Sequence, residues 1–171
     1  MTARVEIDGI AWPVLGAQVA IVRDGRVLVQ FRPFPPGWEL PGGHCEDGED
    51  PALTAAREAE EETGYRVRVT RLTGVYTWAG LRRIGDVLYV GEVVGGAPRR
   101  SIEAVATRFV APDALPRTLF PWYRRRILDA FSAAQGAAPV HRVQPVTPYH
   151  VLGFATDWLR TPLDALRRRA R

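Results

Sequence analysis

Residues 51–63, PALTAAREAEEET, constrain this chain more than any other stretch. They are rich in Ala, Leu and Glu, carry Pro near the first helical position and stop at Gly64, so the segment predicts a helix with its own start and stop signals. With about 3.6 residues per turn, Glu61 and Glu62 fall three and four positions beyond Glu58, and the three carboxylates share one face. Each such like-charge pair costs an isolated helix about 0.2–0.5 kcal/mol. A bound cation turns that repulsion into ligation. A merely solvated helix of high propensity would account for the glutamates. It would not account for Glu39-Leu40-Pro41-Gly42-Gly43 directly upstream, nor for Gly43, Glu49 and Gly64 standing in register with the helix.

Strand patterns surround this helix. Val5 to Trp12 reads as one strand, and Gln18 to Val22 followed by Val27 to Arg32 reads as a hairpin turned at Asp24-Gly25. Three prolines and a glycine between Pro33 and Gly37 break regular structure. Val67 to Tyr76, Asp86 to Val94 and Val105 to Val110 are further strands, and Leu119 to Ser132 is an amphipathic helix. Residues 133–149 read as a linker rich in Ala, Gly and Pro, followed by a terminal helix from Thr156 to Arg169 interrupted near Pro162. A mixed sheet with one central helix and another after the last strand predicts an α/β (α+β) sandwich with helices on both faces. At 171 residues the chain can bury one core and is too short for two ordinary domains.

Composition removes several chemistries. All 23 basic residues are arginine, so Schiff-base chemistry and a phosphate-loop lysine are excluded. Cys45 is the only cysteine, which rules out an internal disulfide and a multi-cysteine zinc site. No run is long and apolar enough to span a membrane and no leader pattern opens the chain, so a cytoplasmic protein with no membrane partner is expected. Charge is uneven: residues 1–110 carry 13 Arg against 15 Asp plus Glu, and residues 111–171 carry 10 Arg against 4 Asp. The basic third reads either as solvated helix faces or as an attraction for phosphate-rich ligands or nucleic acid.

Hard carboxylate oxygens from Glu58, Glu61 and Glu62, joined by a carbonyl from Gly42 or Gly43, suit Mg²⁺ or Mn²⁺, ions that bridge protein carboxylates to phosphates. Arg57 reads as the partner that orients Glu49 or another carboxylate and keeps the acidic cluster from repelling itself. Gly42 and Gly43 let the backbone approach metal or phosphate closely.

The positions Gly43, Glu49, Arg57-Glu58, Glu61-Glu62 and Gly64, with five, seven, two and one residues between them, resemble the signature of the Nudix hydrolase superfamily. Ala59 and Tyr65 stand where that signature asks for aliphatic residues. The resemblance covers about residues 17–132 and implies an α/β/α sandwich with a mixed sheet between helices; a Nudix domain is expected over residues 1–135, and a C-terminal extension over 136–171, outside the resemblance, is expected to pack on it. It implies metal-dependent cleavage of the pyrophosphate bond in a nucleoside diphosphate linked to another moiety, ADP-sugar-like, or in a nucleoside triphosphate. The alternatives are an RNA 5′-end pyrophosphohydrolase and a non-catalytic nucleotide-binding regulator. It points to Glu61 as general base, or to a glutamate from a later loop, for which Glu103 is the candidate. Glu58 and Arg57 complete the catalytic set.

Substrate recognition lies outside the signature. Arg32, Trp38, Glu39, Gly42, Tyr76 and Trp78 are the candidates for the pocket rim, where arginine grips phosphate and aromatic rings stack a base. Core packing explains each aromatic as well. Gln30-Phe31-Arg32 with the ELPGG stretch resembles ADP-sugar pyrophosphatases, but Thr77 to Gly85 lacks the proline associated with ADP-ribose enzymes. His44 is a further phosphate contact or a bystander. His141, Tyr149, His150 and Trp158 lie in the tail, which forms a lid, a homodimer contact or simple packing. A small-molecule nucleotide is the expected partner, ahead of nucleic acid.

Overall fold

The computed structural model describes residues 3–80 and 82–146, with 82–84 described by backbone alone. Their elements run β1 (Ala3–Ile7), β2 (Ile10–Arg23), β3 (Arg26–Pro33), β4 (Pro36–Glu39), β5 (Gly42–His44), α1 (Pro51–Thr63), β6 (Tyr65–Trp78), β7 (Arg82–Gly96), β8 (Ala106–Val110), α2 (Pro121–Ala134) and β9 (Val140–Gln144). The expected terminal helix, with Tyr149, His150 and Trp158, lies outside the described residues. Among the described residues no helix is long and apolar enough to cross a membrane.

The long strand β2 organises the sheet. One edge pairs in parallel with β7, and the other takes β1, then β5, then β3, all antiparallel. The order across the sheet is β4-β3-β2-β7-β6-β9, with β8 on β3. β6 and β7 are antiparallel, while β6 and β9 are parallel. The mixed sheet expected between two helices is therefore the one observed.

Strand alternation sends side chains to two layers. Ala17, Val19, Ile21, Val75, Val87 and Tyr89 form one core with Ala55 and Ala59 of α1. Ala20, Tyr76, Leu88 and Val90 form the other with Tyr123, Ile127 and Ala130 of α2. α1 begins where its local signals place it. Asp50 caps it by accepting from the Ala52 N–H at 2.7 Å, and Pro51 occupies the first turn. Gly64 ends it at φ 80°, with its N–H bonded to the Glu60 carbonyl at 2.9 Å.

Four details differ from the sequence reading. The stretch from Val5 to Trp12 is a hairpin and not one strand, because Asp8-Gly9 adopts the same two positive φ values as Asp24-Gly25, the pattern of a type I′ turn. The Pro33–Gly37 break folds back as edge strand β4, where proline's missing donor faces no partner strand. α2 starts at Pro121, whose ring suits the first helical turn, and not at Leu119. The 133–149 linker contains β9, which pairs along the β6 edge from Gly74 to Trp78.

Arg126 joins α2 to the sheet. It is fully buried, and its guanidinium donates to Gln144 Oε1 at 3.0 and 2.8 Å, to Gln18 Oε1 at 2.7 Å and to Asp86 Oδ2 at 3.1 Å. The Tyr76 and Trp78 rings lie 4.8 and 5.2 Å from it. One side chain thus connects α2, β2, β7 and β9. Replacing it by Met leaves Asp86 and two amides without their donor, and we expect Arg126→Met to lose about 3–5 kcal/mol in urea unfolding. A loss under about 1 kcal/mol would show that Gln18, Gln144 and Asp86 find other partners at no cost.

Candidate active site

The glutamate face of α1 meets the backbone of β5. Ala55 and Ala59 have no exposed surface, and their small side chains let the helix lie close to the sheet. Gly43 sits directly under Glu58: a Cβ there would come within 2.5–2.7 Å of the Glu58 carboxylate atoms. Gly42 is wedged just as tightly against β2, where a Cβ would meet the Ala17 carbonyl and Gln18 Cα. Its N–H, pointing the other way, donates to Glu62 Oε2 at 2.9 Å. Both glycines are thus required by close approach, and the approach brings two carboxylates onto one short piece of backbone.

Arg57 holds the outer side of this cluster. Its Nε and Nη2 donate to the two oxygens of Glu49 at 3.0 and 3.1 Å, a two-point fork, and its Nη1 donates to Glu58 Oε1 at 2.8 Å. Glu61 Oε1 is 3.7 Å from the same Nη1 and its side chain is 62% exposed. The fork holds the Glu49 carboxyl down at about 2. Glu58 goes the other way: burial pushes its carboxyl up, outweighing the neighbouring guanidinium, and the charges of Glu61 and Glu103 add to the rise. Glu62 is pushed well above the usual carboxylate range by burial and then by the charge of Glu39, although the Gly42 N–H favours its ionised form.

The floor of the site is polar and incompletely satisfied. Gln30, fully buried on β3, donates to Glu39 Oε1 at 3.5 Å, and its own Oε1 is buried without a hydrogen-bond partner. Arg32 Nη1 lies 3.6 Å from Glu39 Oε2. Among the described residues, no three His, Cys, Asp or Glu side chains converge as a ready-made set of metal ligands. The chemistry of the donors nevertheless fits a hard divalent cation. Glu58 is half-buried and Glu62 buried, both carboxyls face further acids, and a positive charge nearby is what would let both ionise.

The remaining candidates divide. Glu103 is exposed, in a turn closed by Ser101 and Ala104, and its charge reaches Glu58. Trp38 is half-buried, edge-on to Phe31 at 5.4 Å and covered on one face by the Arg108 guanidinium at 4.2 Å. Trp78 is half-buried and edge-on to Trp122 at 6.1 Å. Tyr76 does not reach the rim where the sequence reading placed it. It is fully buried beneath α2 and its hydroxyl donates to Asp129 at 3.1 Å, because its strand position faces the α2 core. His44 is exposed beside Gly43, and His141 stacks on Trp12 at 3.8 Å. Sequence reasoning missed Gln18, Gln30 and Asp86, all beneath or beside the glycine pair. A glutamine inside an otherwise apolar strand is the signal that could have found the first two.

Comparison with known proteins gives a consistent picture. The NUDIX domain family matches residues 13–131. A MutT-like protein of Streptomyces ambofaciens is 40% identical over 118 residues, 69% of this chain and 76% of that one. A CMP-5′-(N-acetyl-N-hydroxy-3-aminopropyl)phosphonate hydrolase of Streptomyces rubellomurinus is 44% identical over 108 residues, 57% of this chain and 52% of that one, so the match spans about half of that relative. The crystal structure of an ADP-ribose pyrophosphatase from Streptococcus suis superposes with a TM-score of 0.64 at 22% identity, covering 76% of this chain and 98% of that one, a likeness of fold.

The Arg57 fork can be tested through proton linkage. Because folding lowers the Glu49 carboxyl from its ordinary 4.5 to about 2, its stabilising contribution is present above pH 4.5 and fades as pH falls towards 2. In Arg57→Ala the Glu49 carboxyl should return to the ordinary range in a carbon-detected NMR titration, and this part of the acid sensitivity should vanish. A Glu49 value still near 2 in that variant would mean that the Thr54 side chain and the Glu46 N–H, not Arg57, hold the charge.

Proposed function

The chain belongs to the NUDIX hydrolase superfamily, and on that premise we propose that it cleaves the pyrophosphate-type linkage of a small-molecule nucleotide. The substrate is a nucleoside diphosphate joined to a second moiety, or a nucleoside triphosphate. Glu58, Glu61, Glu62 and the Gly43 carbonyl would hold Mg²⁺ or Mn²⁺. The reading is carried by one observation: Glu58 and Glu62 are both desolvated against the Gly42–Gly43 backbone, and both have carboxyls pushed up. Such an arrangement is costly without a cation and complementary to one.

Such an ion would supply neutralisation of charge on the leaving phosphate and a lowered pKa for a water molecule. The chain's residues supply the rest. Arg57 locks Glu49 and steadies Glu58, so the carboxylate face keeps its orientation. Glu61, the most exposed of the three glutamates, is the residue we assign to accept the water's proton, with Glu103 as the alternative acceptor. Arg32, Trp38 and Trp78 border the moiety beyond the pyrophosphate. The Streptomyces relative named for hydrolysis of a CMP-linked phosphonate supports a nucleotide joined to a second group.

The RNA 5′-end reading loses part of its support, because the basic third is partly internal: Arg126 is buried, and Arg125 and Arg142 pair with Asp129. The deciding experiment is a nucleotide panel with Mg²⁺ or Mn²⁺, with product analysis in ¹⁸O-labelled water to identify the phosphorus attacked. Glu62→Gln and Glu61→Gln should each lower kcat by roughly a hundredfold or more with the fold retained in circular dichroism. Undiminished turnover in both would overturn the assignment of the site.

A further inference from the structure

A cavity of about 260 Å³ opens beside the end of α1, lined by Pro98, Arg99, Arg100, Ala106 and Thr107. Its wall holds two arginines and a hydroxyl and no acidic side chain, in a protein whose neighbouring face is strongly acidic. Arg99 is anchored there. Its N–H donates to the Thr63 carbonyl at 2.8 Å and its Nη2 to the Glu61 carbonyl at 3.3 Å. Gly64 makes this possible, since a Cβ at that position would meet the Ala97 carbonyl and lie 2.8 Å from Arg99 Cβ. The glycine that ends the glutamate helix thus also seats the arginine segment against it.

The cavity is tied to the carboxylate cluster from a second direction. Thr107 is the cross-strand partner of Gln30, and Gln30 is the partner of Glu39, so the three form one row across β8, β3 and β4. Cross-strand partners share a face. The row leads from the cavity wall to the buried floor beneath Glu62. Glu103, in the turn between Arg100 and Ala106, exerts its charge on Glu58. A single segment, 98–107, therefore presents an acid to the catalytic helix and two guanidinium-bearing residues to the cavity beside it.

Arg99 spends one guanidinium N–H on the Glu61 carbonyl, and Arg100 is exposed on the same wall, so the two side chains offer further N–H donors with which a tetrahedral anion forms forked hydrogen bonds. We propose that this cavity is an anion subsite that takes a phosphate or phosphonate group of the substrate lying outside the linkage that is broken. The proposal rests on the hydrolase reading above, and it narrows the substrate class to nucleotides that carry a further anionic group.

Binding without divalent ion separates the subsite from catalysis. Inorganic tripolyphosphate and a nucleoside triphosphate are titrated by calorimetry in EDTA against the intact chain, Arg99→Ala/Arg100→Ala, and Arg4→Ala/Arg71→Ala, a control that removes the same charge from exposed positions on β1 and β6. The Arg99/Arg100 variant should bind both anions at least about tenfold more weakly, and Arg99→Lys/Arg100→Lys should recover part of the loss. The control should stay within about twofold of the intact chain. Equal losses in the two double variants would show a general charge effect, and no loss in either would place the anion elsewhere. Absence of binding by the intact chain also overturns the subsite. Loss confined to tripolyphosphate would mean an inorganic anion only and would sever the cavity from the substrate. Hydrolysis by the intact chain is measured separately with Mg²⁺, so failure of the catalytic reading leaves a distinct signature from failure of the subsite.

Discussion

The site depends on how closely α1 approaches the sheet, and alanine sets that distance. Ala55 and Ala59 are fully buried against Ala17, Val19 and Val87. With such short side chains on its inner face, the helix lowers Glu58 onto Gly43 and Glu62 onto the Gly42 N–H. A bulkier residue at 59 would lift the carboxylates from the backbone or force the strands apart, either at the cost of overpacking. Ala59, a departure from the bulk usual in the signature, therefore fits the narrow gap found here.

That closeness creates an electrostatic tension which the fold resolves unevenly. Glu49 is stabilised as an anion by a two-point contact with Arg57. Glu58 shares the same arginine but loses more to burial than it gains. Glu62, deeper still, is pushed up by burial and by the charge of Glu39, against hydrogen bonds from the Gly42 N–H and the Gln30 side chain. The charge is held apart in steps, from an outer carboxyl that stays ionised to two inner ones that burial pushes up, and the inner two lie next to the glycines. The same arrangement explains why arginine stands at the rim: its planar fork satisfies two carboxylates at once.

The opposite face of the sheet serves a structural purpose with similar chemistry. Arg126 and Asp129 on α2 gather Gln18, Asp86, Gln144, Tyr76 and Arg142 into connected hydrogen bonds. Gln18 belongs to both faces of this story, since its Cα supports Gly42 while its side chain accepts from Arg126. Positive charge that looks like a nucleic-acid surface when counted along the chain is in part interior once folded.

What could be read in advance was whatever depends on neighbours in sequence. The α1 limits follow from Asp50, Pro51 and Gly64, and the shared glutamate face follows from helical period. The Asp24-Gly25 hairpin carries its own turn chemistry, as does Asp8-Gly9, where the same signal was read through. β4 and β9 were illegible because each becomes a strand only against a distant edge. Tyr76 illustrates the same divide: its aromatic character was visible, but the face it occupies was set by the pairing of β6 with β7 and β9. The sequence by itself determined the helix, its caps, the spacing of its carboxylates and the family they mark. Only the tertiary structure decided that Glu58 and Glu62 lose their water while Glu61 keeps it, and that Arg99 rather than Arg126 borders a cavity. Desolvation belongs to the surroundings of a group, and those surroundings come from strands far away along the chain.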